Sequence, residues 1–406
     1  MLFIQHGPAW RPKMELILQK ALVDGMIWDL REENIERINS IMALDDNYQT
    51  MVKMIDPKTY YLQFPNSNPK QLIDVPYFHE GDLIDRKYLR DAENIERLVN
   101  ETTEFQRSQD LDIYLTPNFY LASFNERIID KMFDIWDLFI KDTVSDKQAG
   151  KKIMGSFIFH ETALNNKNQI NEFLEDVDEF SSNLDGVYII VDRDLSSTTT
   201  RHQFNPEKLT NMLQLIYDLS NMGLSVIVGY TGIEGLLYNA VGAMATGTGW
   251  FYNLRCFNQE QKGLVPYSSM GRQKKRYTSI KYMHEMSIDD NIFSIPISKQ
   301  EEFYPLILEG TSLDDKIYLG NIDEINYNDV YVQYFEVMEH YISIIEQKKS
   351  IESKLKFVVD LLDESLGNIR HYNNTLQVIR NLPDTHVIQY KEAIEKFIEN
   401  NFIFLD

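Results

Sequence analysis

The chain has 406 residues, 43% of them hydrophobic, which is enough for a sizeable core, and 62 acidic against 40 basic side chains give a net charge of −22 at pH 7. Such a surface repels phosphate backbones, so nucleic acid can be bound only through a segregated basic patch. A single cysteine, Cys256, excludes intramolecular disulfides and multi-thiolate zinc sites and fits a reducing, cytoplasmic setting, while no apolar run approaches the roughly 18 residues of a membrane span and no signal peptide is apparent, so no membrane association is expected.

Short apolar runs alternate with helix-like stretches along the first 250 residues. Leu2 to Gln5 is the first, closed by His6 and Gly7, and helix Lys13 to Val23 returns the chain to Met26 to Leu30, the second. The third, Met51 to Ile55, stops at Asp56-Pro57, because proline cannot donate to a ladder. The fourth is Asp112 to Leu115, ending in Thr116-Pro117-Asn118, and helix Asn125 to Ile140 follows with its apolar stripe. The fifth run is Ile153 to Phe159, the sixth Gly186 to Val191 and the seventh Leu224 to Val228; helix Glu234 to Ala240 then feeds the eighth, Gly242 to Gly247. This alternation predicts an α/β fold, a (β/α)8 TIM barrel over residues 1–255. Residues 57–111, between the third and fourth runs, exceed a crossover helix. They are read as a folded insertion with a charged helix around Arg86 to Glu104, placed to overhang the mouth and act as a lid or partner-binding element.

Beyond the barrel, residues 256–326 read as an extension carrying a basic cluster, Arg272, Lys274, Lys275, Arg276 and Lys281. Residues 327–406 read as a mainly helical C-terminal region. Phe335, Met338, Ile342 and Ile345 form one seam and Leu355, Val358, Leu362, Leu366 and Ile369 another; Lys348, Lys349 and Glu352 interrupt the heptad, which predicts two packed helices offered to a protein partner or a second copy.

Barrels of this kind place reactive groups at the C-terminal ends of their strands. The strand ends carry His6, Asp29, Arg31, Asp56, Asn118, His160, Glu161, Asp192, Asp194, Tyr230 and Thr248. Asp192, Glu161, His160, Asp29 and Asp56 are the catalytic candidates: carboxylates from four strands that serve as acid/base groups or as oxygen ligands of a hard divalent cation, or else form salt bridges to Arg31, Lys53 and Arg193. Neither His6 nor His160 has the second histidine of a metallohydrolase motif, and no metal site or cofactor is assigned. Gly229, Thr231 and Gly232 after the seventh strand, and Thr246, Gly247, Thr248 and Gly249 after the eighth, suit a phosphate site built from backbone N–H groups, with tight turns as the plainer reading; Glu234 opposes an anion there.

From Val228-Gly229 through Gly-Tyr-Thr-Gly, a helix with Leu236-Leu237 and Ala240, Gly242-Ala243-Met244 and Asn253-Leu254-Arg255, the sequence resembles the late strands of tRNA-guanine transglycosylase-type barrels. That resemblance covers residues 228–255 alone. Thr246-Gly247 stands where the family has its nucleophilic aspartate, and the zinc-binding cysteines are absent. What it implies is a mouth shaped for a nucleobase or nucleotide.

The basic cluster, interleaved with Tyr277 and Tyr282, is the one candidate nucleic-acid contact and a further candidate partner contact. The leading expectation is a cytoplasmic barrel that binds or acts on a nucleotide-like or phosphorylated ligand at its mouth. The alternatives are a non-catalytic subunit of a bacterial assembly such as an anti-phage system, and a glycosidase-like hydrolase using paired carboxylates.

Overall fold

The computed structural model describes residues 1–7, 13–42, 50–79, 81–195, 202–265, 274–376 and 381–405. Its first two-thirds form a closed parallel barrel, the α/β architecture expected. The strands are β1 (Leu2–Gln5), β2 (Gly25–Asp29), β3 (Val52–Asp56), β4 (Ile113–Leu115), β5 (Phe119–Leu121), β6 (Lys152–His160), β7 (Gly186–Asp192), β8 (Ser225–Gly229) and β9 (Ala245–Thr248). They run in the order β4-β3-β2-β1-β9-β8-β7-β6-β5, and β4 also pairs with β6, which shuts the ring. β4 and β5 are two halves of one stave: both lie on β6, with Ile113 opposite Lys152 and Phe119 opposite Phe157. Thr116-Pro117-Asn118 splits them, since Pro117 has no N–H for the ladder. The sequence shows only the first half.

Helices α1 (Lys13–Gln19), α2 (Ile35–Met42), α3 (Ala92–Arg107), α4 (Ile128–Asp142), α5 (Val144–Gln148), α6 (Lys167–Asp178), α7 (Pro206–Asn221) and α8 (Gly235–Ala240) follow their strands. In the insertion, α3 packs on α4 as an ordinary crossover helix. The stretch before α3 includes the 3₁₀ turns Thr59–Gln63 and Lys70–Asp74.

Past residue 255 the chain forms an antiparallel hairpin, β10 (Arg276–Ser279) with β11 (His284–Ser287), then α9 (Ile297–Ile307) and α10 (Asp314–Tyr318), none of which the sequence reading places. The helical region is α11 (Tyr327–Gln347), α12 (Ile351–Thr375) and α13 (Thr385–Asn400). The break at Lys348-Lys349 falls where the charges interrupt the heptad, and each side starts from a capping box, on Asn326 and on Ser350. These helices pack on the barrel. α11 touches α1, α8 and β1, so it fills the place of the eighth outer helix, and α13 lies along α7. Phe335, Met338, Ile342, Ile345, Leu355, Val358, Leu362, Leu366 and Ile369 are all buried. No helix among the described residues is long and apolar enough to cross a membrane.

Candidate functional site

Barrel strands are covered on both faces, so their burial shows no alternation. The residues that point into the barrel near its C-terminal end are identified by their contacts across it. Tyr188 of β7 donates its hydroxyl to Gln5 Oε1 of β1 (3.4 Å), and Asn118 donates Nδ2 to Ser156 Oγ of β6 (3.2 Å) and to Asp56 Oδ1 of β3 (2.8 Å). All five are buried.

The centre of this layer is Lys58, two residues past β3 and fully buried. Its ammonium lies 3.3 Å from Asp29 Oδ2 and 3.3 Å from Asp56 Oδ2, and donates to Tyr230 OH (2.9 Å) and Tyr60 OH (3.2 Å). Tyr230 in turn donates to Asp29 Oδ2 (3.3 Å). Burial opposes the Lys58 charge, but Asp29, Tyr60 and Asp56 outweigh it and hold the pKa well above the ordinary lysine value. Burial also opposes ionisation of Asp29, and here Lys58, Lys262 and Arg31 prevail and keep it below the usual carboxylate range. For Asp56 burial wins and its pKa rises, despite Lys58 and the Asn118 bond.

Two backbone conformations aim this cluster. Lys58 has φ +54° and Tyr230 φ +56°, the left-handed region that costs a residue with a Cβ about 1–2 kcal/mol. Each stands just beyond a strand end and turns its side chain back over the barrel. Pro57 ends β3, and the left-handed step at Lys58 starts the Thr59–Gln63 turn, which Thr59 and Asn118 fasten to the fourth stave through Thr59 N to Asn118 Oδ1 (3.0 Å) and Asn118 N to Thr59 Oγ1 (2.7 Å).

Residues 257–264 roof the mouth. Tyr61 OH donates to Lys262 O (2.6 Å), Asn68 N to Gly263 O (2.8 Å), and Gln259 N to Asp192 Oδ1 (3.0 Å). From this roof Lys262 reaches inward, 5% exposed, with Nζ 3.9 Å from the centre of the Tyr230 ring. Its ammonium has no hydrogen bond or ion pair among the described residues. Burial, then the charge of Lys58, lower its pKa to about 7. Beside the layer, His6 is buried with neither ring nitrogen bonded among the described residues, as are Trp28 Nε1 and Gln5 Nε2. The His6 ring lies 4.8 Å from that of Trp28, and burial lowers its pKa to about 4.

Of the five catalytic candidates, Asp29 and Asp56 meet on Lys58. Asp192 stands apart: Tyr120 OH (2.7 Å) and Gln259 N bind its two oxygens, and burial raises its pKa to about 6 against those bonds. Glu161 pairs with Arg193 (2.7 Å) and Lys208 (3.1 Å), and His160 caps the following turn through Thr162. Arg31 donates its backbone N–H to Asp29, while Lys53 pairs with Asp110, away from the mouth.

The glycine-rich turns are internally bonded. Thr231 N donates to Gly247 O (2.8 Å), and Glu234 accepts from Gly232 N (2.8 Å), where an anion would have docked. Thr246 Oγ1 accepts from Asn239 (2.9 Å), Thr248 Oγ1 meets Tyr334 OH (2.6 Å), and Gly249 O accepts from Arg255 (2.7 Å). Gly247 admits the inner wall: a Cβ there would lie 2.6 Å from Ile27 Cδ1. Gly229 faces Tyr188 in the same way.

In the basic cluster, Arg272 lies outside the described residues. Lys274 pairs with Asp290 (2.7 Å), Arg276 donates to Glu285 O (3.0 Å) and Lys281 to Leu308 O (2.6 Å), while Lys275 lies at the start of the hairpin. The structure thus ties three of these cations to the protein. Among the described residues no three His, Cys, Asp or Glu side chains are grouped to hold a metal ion.

Lys58 and Lys262, unlike Arg31, escaped the sequence reading. A lysine directly after the Asp56-Pro57 strand stop was a usable signal; nothing marks Lys262.

No family model and no curated protein sequence matches the chain. Among solved structures it is similar to a mutant of the O-GlcNAc hydrolase of Thermobaculum terrenum, with 8% identity over 98% of this chain and 93% of that one and a TM-score of 0.35. That protein is not of the transglycosylase type that residues 228–255 resemble, and at that score the likeness carries no argument about the mouth or its chemistry.

Proposed function

We propose that the C-terminal mouth binds a small, acceptor-rich anion of the nucleotide or phosphorylated type, with Lys262 and Lys58 as its cationic contacts and Asp29, Asp56 and Tyr230 fixing Lys58. One observation carries this reading: the Lys262 ammonium is buried with no ion pair or hydrogen bond among the described residues, Asp29 and Glu32 acting on it only from beyond ion-pair distance, whereas buried charges are as a rule directly paired. An anion arriving beneath the roof supplies the missing partner. The unbonded donors of Gln5 and Trp28 favour the same acceptor-rich chemistry. The turns at 229–249 then contribute shape rather than free N–H groups. A glycosidase-type mechanism drawing on Asp29 and Asp56 would use two carboxylates that already share one ammonium.

The test is thermal unfolding of the full chain with inorganic phosphate, nucleoside monophosphates and sugar phosphates. A ligand at about 100 times its Kd stabilises the fold by about 2.7 kcal/mol. The reading expects at least one such shift, lost in Lys262→Met. A shift of equal size in that variant, or none with any anion, refutes it.

A non-catalytic barrel in a larger assembly is the second reading. It is favoured by large apolar side chains left on the surface: Ile297, Tyr318 and Leu319, and Phe402 and Phe404 near the chain end. Sedimentation of the full chain against a variant with Phe402 and Phe404 changed to serine tests it through self-association.

A further inference from the structure

Lys262 sits on a hydrogen-bonded turn. Its turn is closed by Lys262 N to Asn258 O (3.0 Å), Gly263 N to Glu260 O (3.1 Å) and Leu264 N to Gln259 O (2.9 Å), and its carbonyl is held by Tyr61. Two amines thus share one buried space with unequal partners. Lys58 has both carboxylates and two phenols in direct contact, whereas the Lys262 ammonium touches the faces of Tyr230 and, 6.0 Å away, Phe257, and feels Asp29 and Glu32 only from beyond ion-pair distance. A desolvated amine beside a second cation is the arrangement that turns lysine from a charge into a nucleophile.

We infer that Lys262 is a nucleophilic amine that condenses with the carbonyl of a small ligand carrying an anionic group, an aldehyde or ketone of the sugar-phosphate or keto-acid kind. The inference rests on the anion-binding reading of the mouth. In the step, the Nζ lone pair attacks the carbonyl carbon and a C–N bond forms as the C=O π pair moves onto oxygen. Both amine protons pass to that oxygen, which leaves as water, so amine and carbonyl enter and imine and one water leave. Protonation of the imine nitrogen by solvent gives back the positive charge that the ligand's anionic group faces. The neutral fraction needed for the attack is present near pH 7: the lowered pKa leaves about half of Lys262 as free base, against roughly one in 2,500 for an ordinary lysine.

The experiment treats the full chain at pH 7 with pyruvate and with dihydroxyacetone phosphate in the presence of cyanoborohydride, which reduces an imine to a stable secondary amine, and maps adducts by peptide mass spectrometry. The expected result is at least a tenfold higher yield at Lys262 than at the exposed Lys141, abolished in Lys262→Arg. Acetic anhydride, applied in trace amount in parallel, reports whether Lys262 can be reached and its pKa. If Lys262 is acetylated with a titration near 7 but gives no imine with either carbonyl, the inference is overturned and the anion site stands. If it titrates near 10, or neither reagent reaches it, the inference and the reading of the mouth both fall. A circular-dichroism melt of Lys262→Arg that matches the parent shows that loss of adduct is not loss of fold.

Discussion

Replacing His386 with glutamine should flatten the acid side of the stability profile. His202, His284 and His386 come from three distant segments, the loop after β7, the hairpin and α13, and their ring centres lie 5.4 to 6.1 Å apart. All three are buried. Around them, Glu285 accepts from His202 (3.2 Å) and pairs with Arg255, Arg276 adds a positive charge from the hairpin, and Tyr390 of α13 meets His386 edge-on. Burial, then the positive field of His202, lower the pKa of His386 to about 3. In the unfolded chain it is about 6.5. Above pH 6.5 both states are neutral and the residue contributes no pH dependence. Below 6.5 the unfolded chain takes up a proton that the native state refuses, so stability falls as pH falls, by about 1.4 kcal/mol per unit until the folded value is reached. At pH 5 the loss is about 2 kcal/mol from this residue alone. Glutamine can keep a donor toward Met283 O, which His386 Nε2 meets at 2.8 Å, and it does not titrate. Urea unfolding from pH 7.5 to 5 should therefore show the two proteins converging by about 2 kcal/mol. Parallel profiles would mean that His386 protonates freely in the native state.

Lys58→Met should destabilise the fold by about 3–5 kcal/mol, because it leaves two carboxylates buried without their cation. Adding Asp29→Asn should recover part of that loss in the same urea melts, whereas additive losses would show that the pair is not coupled. Asp192→Ala, which removes both acceptor oxygens, should lower stability by about 1–2 kcal/mol and speed amide exchange at Gln259, whose N–H it holds; unchanged exchange there would disconnect Asp192 from the roof. A chain ending at Asn326 should be insoluble, since it loses α11 and uncovers β1, α1 and α8; a monomeric, cooperatively melting truncation would contradict this packing.

The barrel was legible because each stave ends at a chemical stop, Asp56-Pro57 or Gly229-Tyr230, and because its strands are short, apolar and followed by amphipathic helices. β5 was not, since Phe119–Leu121 is three residues long and pairs only because it continues β4 on the same neighbour. Nor was the eighth outer helix. Local pattern finds α11, but its place between α1 and α8 is a tertiary fact separated from β9 by 78 residues of other structure. At the mouth, strand-end position named Asp29, Asp56 and Tyr230 without grouping them, and the structure brings the three together on Lys58. Position alone gave equal weight to Glu161 and Asp192, which lie elsewhere. The cation that joins the first three escaped notice because its backbone doubles back in a conformation that lysine seldom adopts.

The register of the ring bears on how the chain is made. β1 lies between β2 and β9, with Leu2 opposite Thr246. A ribosome that has already released β1 must synthesise some 240 further residues before its second neighbour exists, on the order of 12 to 50 seconds at ordinary elongation rates. Throughout that interval one side of Leu2–Gln5 is an unpaired edge carrying Leu2, Phe3 and Ile4. Partial chains that stall before Thr248 should thus be the species that aggregate or recruit chaperones, and slowing translation early in the gene should do more harm than slowing it after β9.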